Sequence, residues 1–204
     1  MTRANIINEV LLRMDEKSPL DGIAIVPNGI VGTLLNEAAK NILLTCPLAL
    51  CPLTNFDDGA VSTTNNGDVY IQRVVLPTNF LRIIRFRLSG WQTSVSTVTE
   101  EGSHKHLSQF YKYLNGGENR PVIVVVKSVT AGISLEYYPL STTPTIEEAA
   151  CVISLLPENM PDNLLTPLYW YAAASAFQTF GMADQMTACM GKVQEYYKLF
   201  GYGN

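Results

Sequence analysis

At 204 residues the chain suits one large domain or two small ones, and 47% of it is hydrophobic but only 16% charged, against about 25% charged in an ordinary soluble domain. A formal net charge of −4 excludes a chain-wide basic footprint, so any contact with nucleic acid is local or through a passage. A chain this short of charge hides apolar surface in a large core or against protein partners, and partners are the expectation.

The opening MTRANIINEV has no apolar leader and reads as a helix start. Ile6, Ile7, Val10, Leu11 and Met14 recur at helical spacing and predict an amphipathic helix over residues 3–16. KSPLDGIAIVPNG breaks it. Asn28 can cap a second helix, in which Ile30, Val31, Leu34, Leu35, Ala38, Ala39, Ile42 and Leu43 form an apolar stripe and Pro47 is the stop. From about Asp68 the period changes to two. DVYIQRVVLP, FLRIIRFRLSGW, TSVSTVTE, PVIVVVKSV and GISLEYYPL are predicted strands, with TTNNGD and NGGENRP as turns. SHKHLSQFYKYLNGG offers Leu107, Phe110, Tyr111 and Leu114 for a short helix, capped by Ser103.

After STTPTIEEAACVISLLPENMPD the helical period returns, with Leu164, Leu165, Leu168, Tyr171, Ala172, Ser175 and Ala176 on one helix. Asn163 to Ala183 carries no charge and is long enough for a membrane span, but its Asn, Thr, Pro, Ser and Gln favour a buried helix turning at Gly181. Met186, Met190, Val193, Tyr197 and Phe200 mark the last helix. The predicted fold is α+β: a helical bundle from both chain ends, residues 1–60 and 146–204, with an inserted β-rich module over 61–145.

Nothing in the chain asks to be catalytic. G-x-S-x-G, the P-loop, G-x-G-x-x-G and H-E-x-x-H are all absent. His104 and His106 lack the further ligands that a zinc site needs, and Cys46 and Cys51 have no second pair. The four cysteines, with Cys151 and Cys189, read as reduced packing thiols. No catalytic, metal or cofactor residue is therefore expected, and no cofactor.

Two stretches raise a question of partners. LPTNFLRIIRFRLSGW places Arg82, Arg85 and Arg87 inside a β-prone run. As a regular strand it turns Ile84, Phe86 and Leu88 to one face and Arg85 and Arg87 to the other, while Arg82 starts on the apolar face with its head reaching out. Arg85 and Arg87 meet either solvent or carboxylates and carbonyls of a neighbouring subunit. The tail EYYKLFGYGN sets Tyr196, Tyr197, Phe200 and Tyr202 together. Either they finish the last helix's apolar face or they dock on a partner. Ala172, Ala173 and Ala174 are small enough for close helix contact between subunits.

Taken in order, the N-terminal helix pair, LPTNFLRIIRFRLSGW, NRPVIVVV, GISLEYYPL and LLTPLYWYAAASAFQTFGMADQ resemble the head–tail connector (adaptor) proteins of tailed bacteriophages. The similarity is strongest to the adaptor and ring proteins of short-tailed and crAss-like phages. It rests on Leu76 to Arg82, Arg120 to Val122, and the Ala-rich helix ending at Gly181. The resemblance implies a structural virion protein without enzymatic activity, made in the host cytoplasm and carried in the neck. It implies a homo-oligomeric, dodecameric ring between portal protein and tail that extends the DNA channel and gives downstream tail or ring proteins a platform. DNA would meet it only as passing genome, and no membrane is involved. Tyr196, Tyr197, Phe200 and Tyr202 become portal-docking candidates on this reading. Ala172 to Ala174, Arg85 and Arg87 become subunit-interface candidates. Other readings are a different phage component (tail-completion or baseplate), a small-molecule-binding β-module, or an unrecognised enzyme.

Overall fold

Helical periodicity at both ends and strand periodicity between them produce an α+β fold. The computed structural model describes residues 1–17, 28–56, 62–66, 69–89, 91–100, 102–103, 123–128, 132–137 and 145–201. Its contacts divide the chain into a helical unit, residues 1–52 with 154–204, and a β unit, 53–153. Residues 146–153, assigned to the helical part on sequence grounds, are instead a strand of the β unit.

The helical unit holds α1 (Arg3–Lys17), α2 (Asn28–Thr45), α3 (Asp162–Thr179) and α4 (Ala183–Lys198). Helix α1 buries Ile6, Val10 and Met14, and α2 buries Val31, Leu35, Ala38, Ala39, Ile42 and Leu43; of the predicted stripes Ile7, Leu11 and Leu34 are only partly buried and Ile30 is exposed. Helix α3 differs. It packs against α1, α2 and α4 at once, and residues all around it are buried, from Leu164 and Leu168 to Ala176 and Phe177. An uncharged helix is what such a central position requires. Among the described residues no helix is long and apolar enough to cross a membrane.

Gly181, at φ +71°, closes α3 in the left-handed conformation that a side chain would strain. The Met182 amide donates to the Phe177 carbonyl at 2.9 Å and Gly181 to Gln178 at 3.1 Å, a Schellman ending that turns the chain directly into α4. Arg3 fastens the other end. Its guanidinium donates to Asn36 Oδ1 at 3.1 Å and to the Gly32 carbonyl on α2, and reaches Glu158 at 3.5 Å.

The β unit holds two antiparallel sheets. One has the order β1 (Thr54–Asn55), β7 (Ile146–Ile153), β4 (Phe80–Leu88); the other runs β2 (Ser62–Asn66), β3 (Val69–Val75), β6 (Gly132–Tyr137), β5 (Ile123–Ser128). Phe86 lies at the centre of their shared core. Its ring stacks near Phe56 (6.3 Å between centroids) and meets Trp91 edge-on at 5.9 Å and Tyr137 of the second sheet at 5.1 Å.

Two strand expectations change. TTNN of the expected turn is the body of β2, with Asn66 paired to Val69. TSVSTVTE is not a strand: Val95 bridges Phe86 in one sheet and Thr99 bridges Val124 in the other, so the segment ties the sheets together. The expected helix around residues 103–114, with His104 and His106, lies outside the described residues.

Candidate interaction site

The arginine strand β4 is irregular, and that decides where its cations go. Ile83 and Arg85 face Cys151 and Ala150, successive residues of β7, so Ile84 is an extra residue; Leu81 is extra in the same way between Phe80 and Arg82. Each bulge resets the alternation of faces. Consequently Ile83, Phe86 and Leu88 are buried and Ile84 is only half-buried, correcting the expectation that Ile84 belongs to the core face. Arg82 is half-buried near the strand's start.

A third bulge lies on β7. Arg87 faces Glu148 and Leu88 faces Ile146, which leaves Glu147 as the extra residue there. Adjacent residues of a regular strand point to opposite faces. With the bulge, both carboxylates reach one guanidinium: Arg87 Nε donates to Glu148 Oε1 at 2.8 Å and Nη1 meets Glu147 Oε2 at 2.5 Å. Arg85 approaches the other oxygen of Glu148 at 3.9 Å, and the Ser94 hydroxyl donates to that oxygen at 2.9 Å. The hydrogen bonds from Arg87 and then Ser94 hold the Glu148 carboxyl below its ordinary value.

The carboxylates that Arg85 and Arg87 meet are the chain's own. Arg85 and Arg87 point outward as expected, with side chains 51% and 30% exposed, but they form a mixed-charge network. Beside it Asn55, Arg85, Ile146, Glu147, Glu148 and Ala149 line a shallow depression of about 180 Å³, below the roughly 300 Å³ at which pockets for organic ligands begin. The second sheet repeats the pairing. Arg73 faces Glu136 across the strands and its Nε and Nη2 both donate to Oε2, at 2.8 and 2.7 Å. Among the described residues no cluster of His, Cys, Asp and Glu could hold a metal ion.

The helical candidates divide. Ala172, Ala173 and Ala174 are at most 2% exposed, so their smallness serves α3's contacts with its own three neighbours and not a contact between subunits. That corrects the interface assignment. Tyr197 is likewise 2% exposed and belongs to the core of the unit.

Tyr196 has a structural task that sequence reading missed. Pro167 stands inside α3 and lacks the N–H that would bond the Asn163 carbonyl four residues earlier. The Tyr196 hydroxyl, arriving from α4, donates to that carbonyl at 2.8 Å. Pro167 inside the run read as a helix was the available signal, since a proline there announces one carbonyl in need of an outside donor. The Tyr196 ring packs on Phe200, 5.4 Å between centroids. Phe200 remains 40% exposed and Leu199, not singled out from the sequence, is 77% exposed. Tyr202 lies outside the described residues. Leu12, Leu48, Leu156 and Phe180 are also large apolar side chains left in water on the helical unit.

The family model of the SU10 adaptor protein matches residues 1–202. No curated protein matches the chain.

Proposed function

The chain belongs to the SU10 adaptor protein family, which makes it a phage structural adaptor and a virion component, and on that premise we propose that it works as a ring between portal and tail. In this reading copies associate side by side in the neck of a short-tailed or crAss-like particle, dodecameric as in similar adaptors. They lengthen the DNA channel below the portal and form the platform on which downstream tail or ring proteins assemble. The genome passes through without being held, which suits a chain of net charge −4.

The observation that carries the proposal is the apolar surface of the helical unit. Leu12, Leu48, Leu156, Phe180, Leu199 and Phe200 are each at least 40% exposed. Large apolar side chains left in water on several elements favour contacts with other subunits. The exposed pair at the end of α4, Leu199 and Phe200, is the portion that docks on the portal. Arg85 and Arg87, engaged with their own carboxylates, contribute charge at the rim of a contact and no anchor.

The test is co-expression with the portal protein of the same genome, with native mass and negative-stain images of the purified product. The expected product is a portal ring carrying a closed ring of this chain, lost on Leu199→Asp with Phe200→Asp. A chain that stays monomeric beside the portal, and is missing from the neck of intact particles, refutes the proposal.

A further inference from the structure

Helix α2 ends at Thr45, and Cys46 is followed by Pro47, a single 3₁₀ turn at Leu48–Leu50, Cys51 and Pro52. The turn is held by the Leu50 amide on the Pro47 carbonyl at 2.9 Å and the Cys51 amide on the Leu48 carbonyl at 3.2 Å. It folds the chain back so that the two sulfurs lie 3.2 Å apart. The Cys46 amide still bonds the Ile42 carbonyl at 2.8 Å, and the Cys51 thiol faces the carbonyls of Pro47 (3.3 Å) and Cys46 (3.6 Å). Backbone bonds thus fix both ends of the turn, and a proline adjoins each cysteine. Cys46 is buried at 2% exposure and Cys51 is partly open to solvent.

We infer that Cys46 and Cys51 are the site of an intrachain disulfide, formed with a small-molecule disulfide as oxidant. The sulfurs must close to about 2.05 Å, a displacement of roughly 1 Å. Cys51, the more open of the two, reacts first. Its thiolate attacks one sulfur of glutathione disulfide, forming a mixed disulfide and releasing one glutathione thiolate. The Cys46 thiolate then attacks the Cys51 sulfur, closes the bond and expels the second glutathione. The two protons lost by the cysteines end on the two glutathione thiols, so two thiols are oxidised and one disulfide is reduced. Cys151 and Cys189 are fully buried elsewhere in the fold and stay reduced.

Chemistry of this kind follows the compartment: the reducing cytosol of a host holds the pair open, and oxidising surroundings close it. That consequence rests on the virion reading; the pairing itself does not. Once closed, the bond ties Cys51, two residues before the β unit begins at Leu53, to the residue that follows α2.

The experiment uses the full, native chain incubated with excess glutathione disulfide, quenched in acid, alkylated in denaturant and digested with trypsin. Both cysteines fall in peptide 41–73, and Cys151 and Cys189 fall together in peptide 128–192. The expected result is peptide 41–73 unalkylated and lighter by the two hydrogens lost, about 2 Da, with peptide 128–192 alkylated at both thiols. Peptide 41–73 carrying two alkyl groups, a persistent glutathione adduct or a cross-link to a second chain overturns the inference. Because no portal or particle enters this assay, its failure leaves the ring proposal untouched.

Discussion

Replacing Tyr196 with Phe keeps the ring on Phe200 and removes only the hydroxyl that meets the Asn163 carbonyl at 2.8 Å. The bond lies at an exposed site, so water can re-solvate the carbonyl and no burial penalty is added. Its loss should cost about 1 kcal/mol, within the roughly 0.5–1.5 kcal/mol of a net protein hydrogen bond. Pro167→Ala returns the missing helix donor, since an alanine N–H at that position points at the same carbonyl. In the Pro167→Ala background the cost of Tyr196→Phe should therefore drop below about 0.5 kcal/mol, a coupling that a double-mutant cycle isolates whatever Pro167→Ala does alone. Urea unfolding followed by far-ultraviolet circular dichroism measures all four proteins. If Tyr196→Phe costs the same in both backgrounds, the hydroxyl is not compensating for the proline, and Tyr196 returns to the pool of docking candidates.

Ala173→Leu should destabilise the chain itself by about 1–3 kcal/mol through overpacking, because Ala173 is 0% exposed; an unchanged urea midpoint with lost oligomerisation would restore the intersubunit reading. Glu148 has a native pKa lowered from 4.5 by the hydrogen bonds of Arg87 and Ser94, so its stabilising contribution is complete above that value and is lost as pH falls through the lowered one. Glu148→Gln should erase this part of the acid limb, and a variant whose urea midpoint falls with acid just as the parent's does would sink the network. At high pH the signs reverse. Burial pushes the Cys151 thiol from 9.0 to about 11 and the Tyr137 hydroxyl from 10.0 to about 12, so the stability they contribute is present below the unfolded values and is lost as pH rises through 9–11 and 10–12 respectively. Urea midpoints should hold to about pH 9 and then decline; midpoints that stay flat to about pH 11 would show that neither group is buried as described.

What the sequence made legible follows from which forces are local. Much of the stripes of α1 and α2 was readable because each faces a core on one side only, and the end of α3 because Gly181 is the residue a left-handed turn selects; of the stripe read on α4 only Val193 and Tyr197 are buried, and Phe200 is exposed. Strand β7 was not, since Glu147, Glu148, Ala149 and Ala150 are weak strand formers whose pairing with β1 and β4 overrides their preference. Strand β1 has two residues and leaves no periodic signal at all. On β4 the alternation of two was the right period, but the bulges at Leu81 and Ile84 shifted which residues it buried. For Ala172 to Ala174 the sequence correctly announced close packing and could not say against what, because a small residue fits a neighbouring helix of its own chain as well as a foreign one.

The arginines show the same limit in electrostatics. Arg87 and Glu148 are 61 residues apart, Arg73 and Glu136 are separated by 63, and Arg3 and Glu158 by 155. An ion pair closed by sheet registry or helix packing looks, in one dimension, like a cation in search of a partner. Once the pairs are formed, little unspent charge remains on these faces to attract a neighbouring molecule. The apolar excess is different. Helix α3 absorbs much of it, yet Leu199 at 77% and Leu48 at 66% exposure have no use inside the chain. Of the two signals that suggested partners, the cations are accounted for within the fold and the hydrophobic surface is not, so association of this protein with its neighbours is to be sought on the leucines of the helical unit.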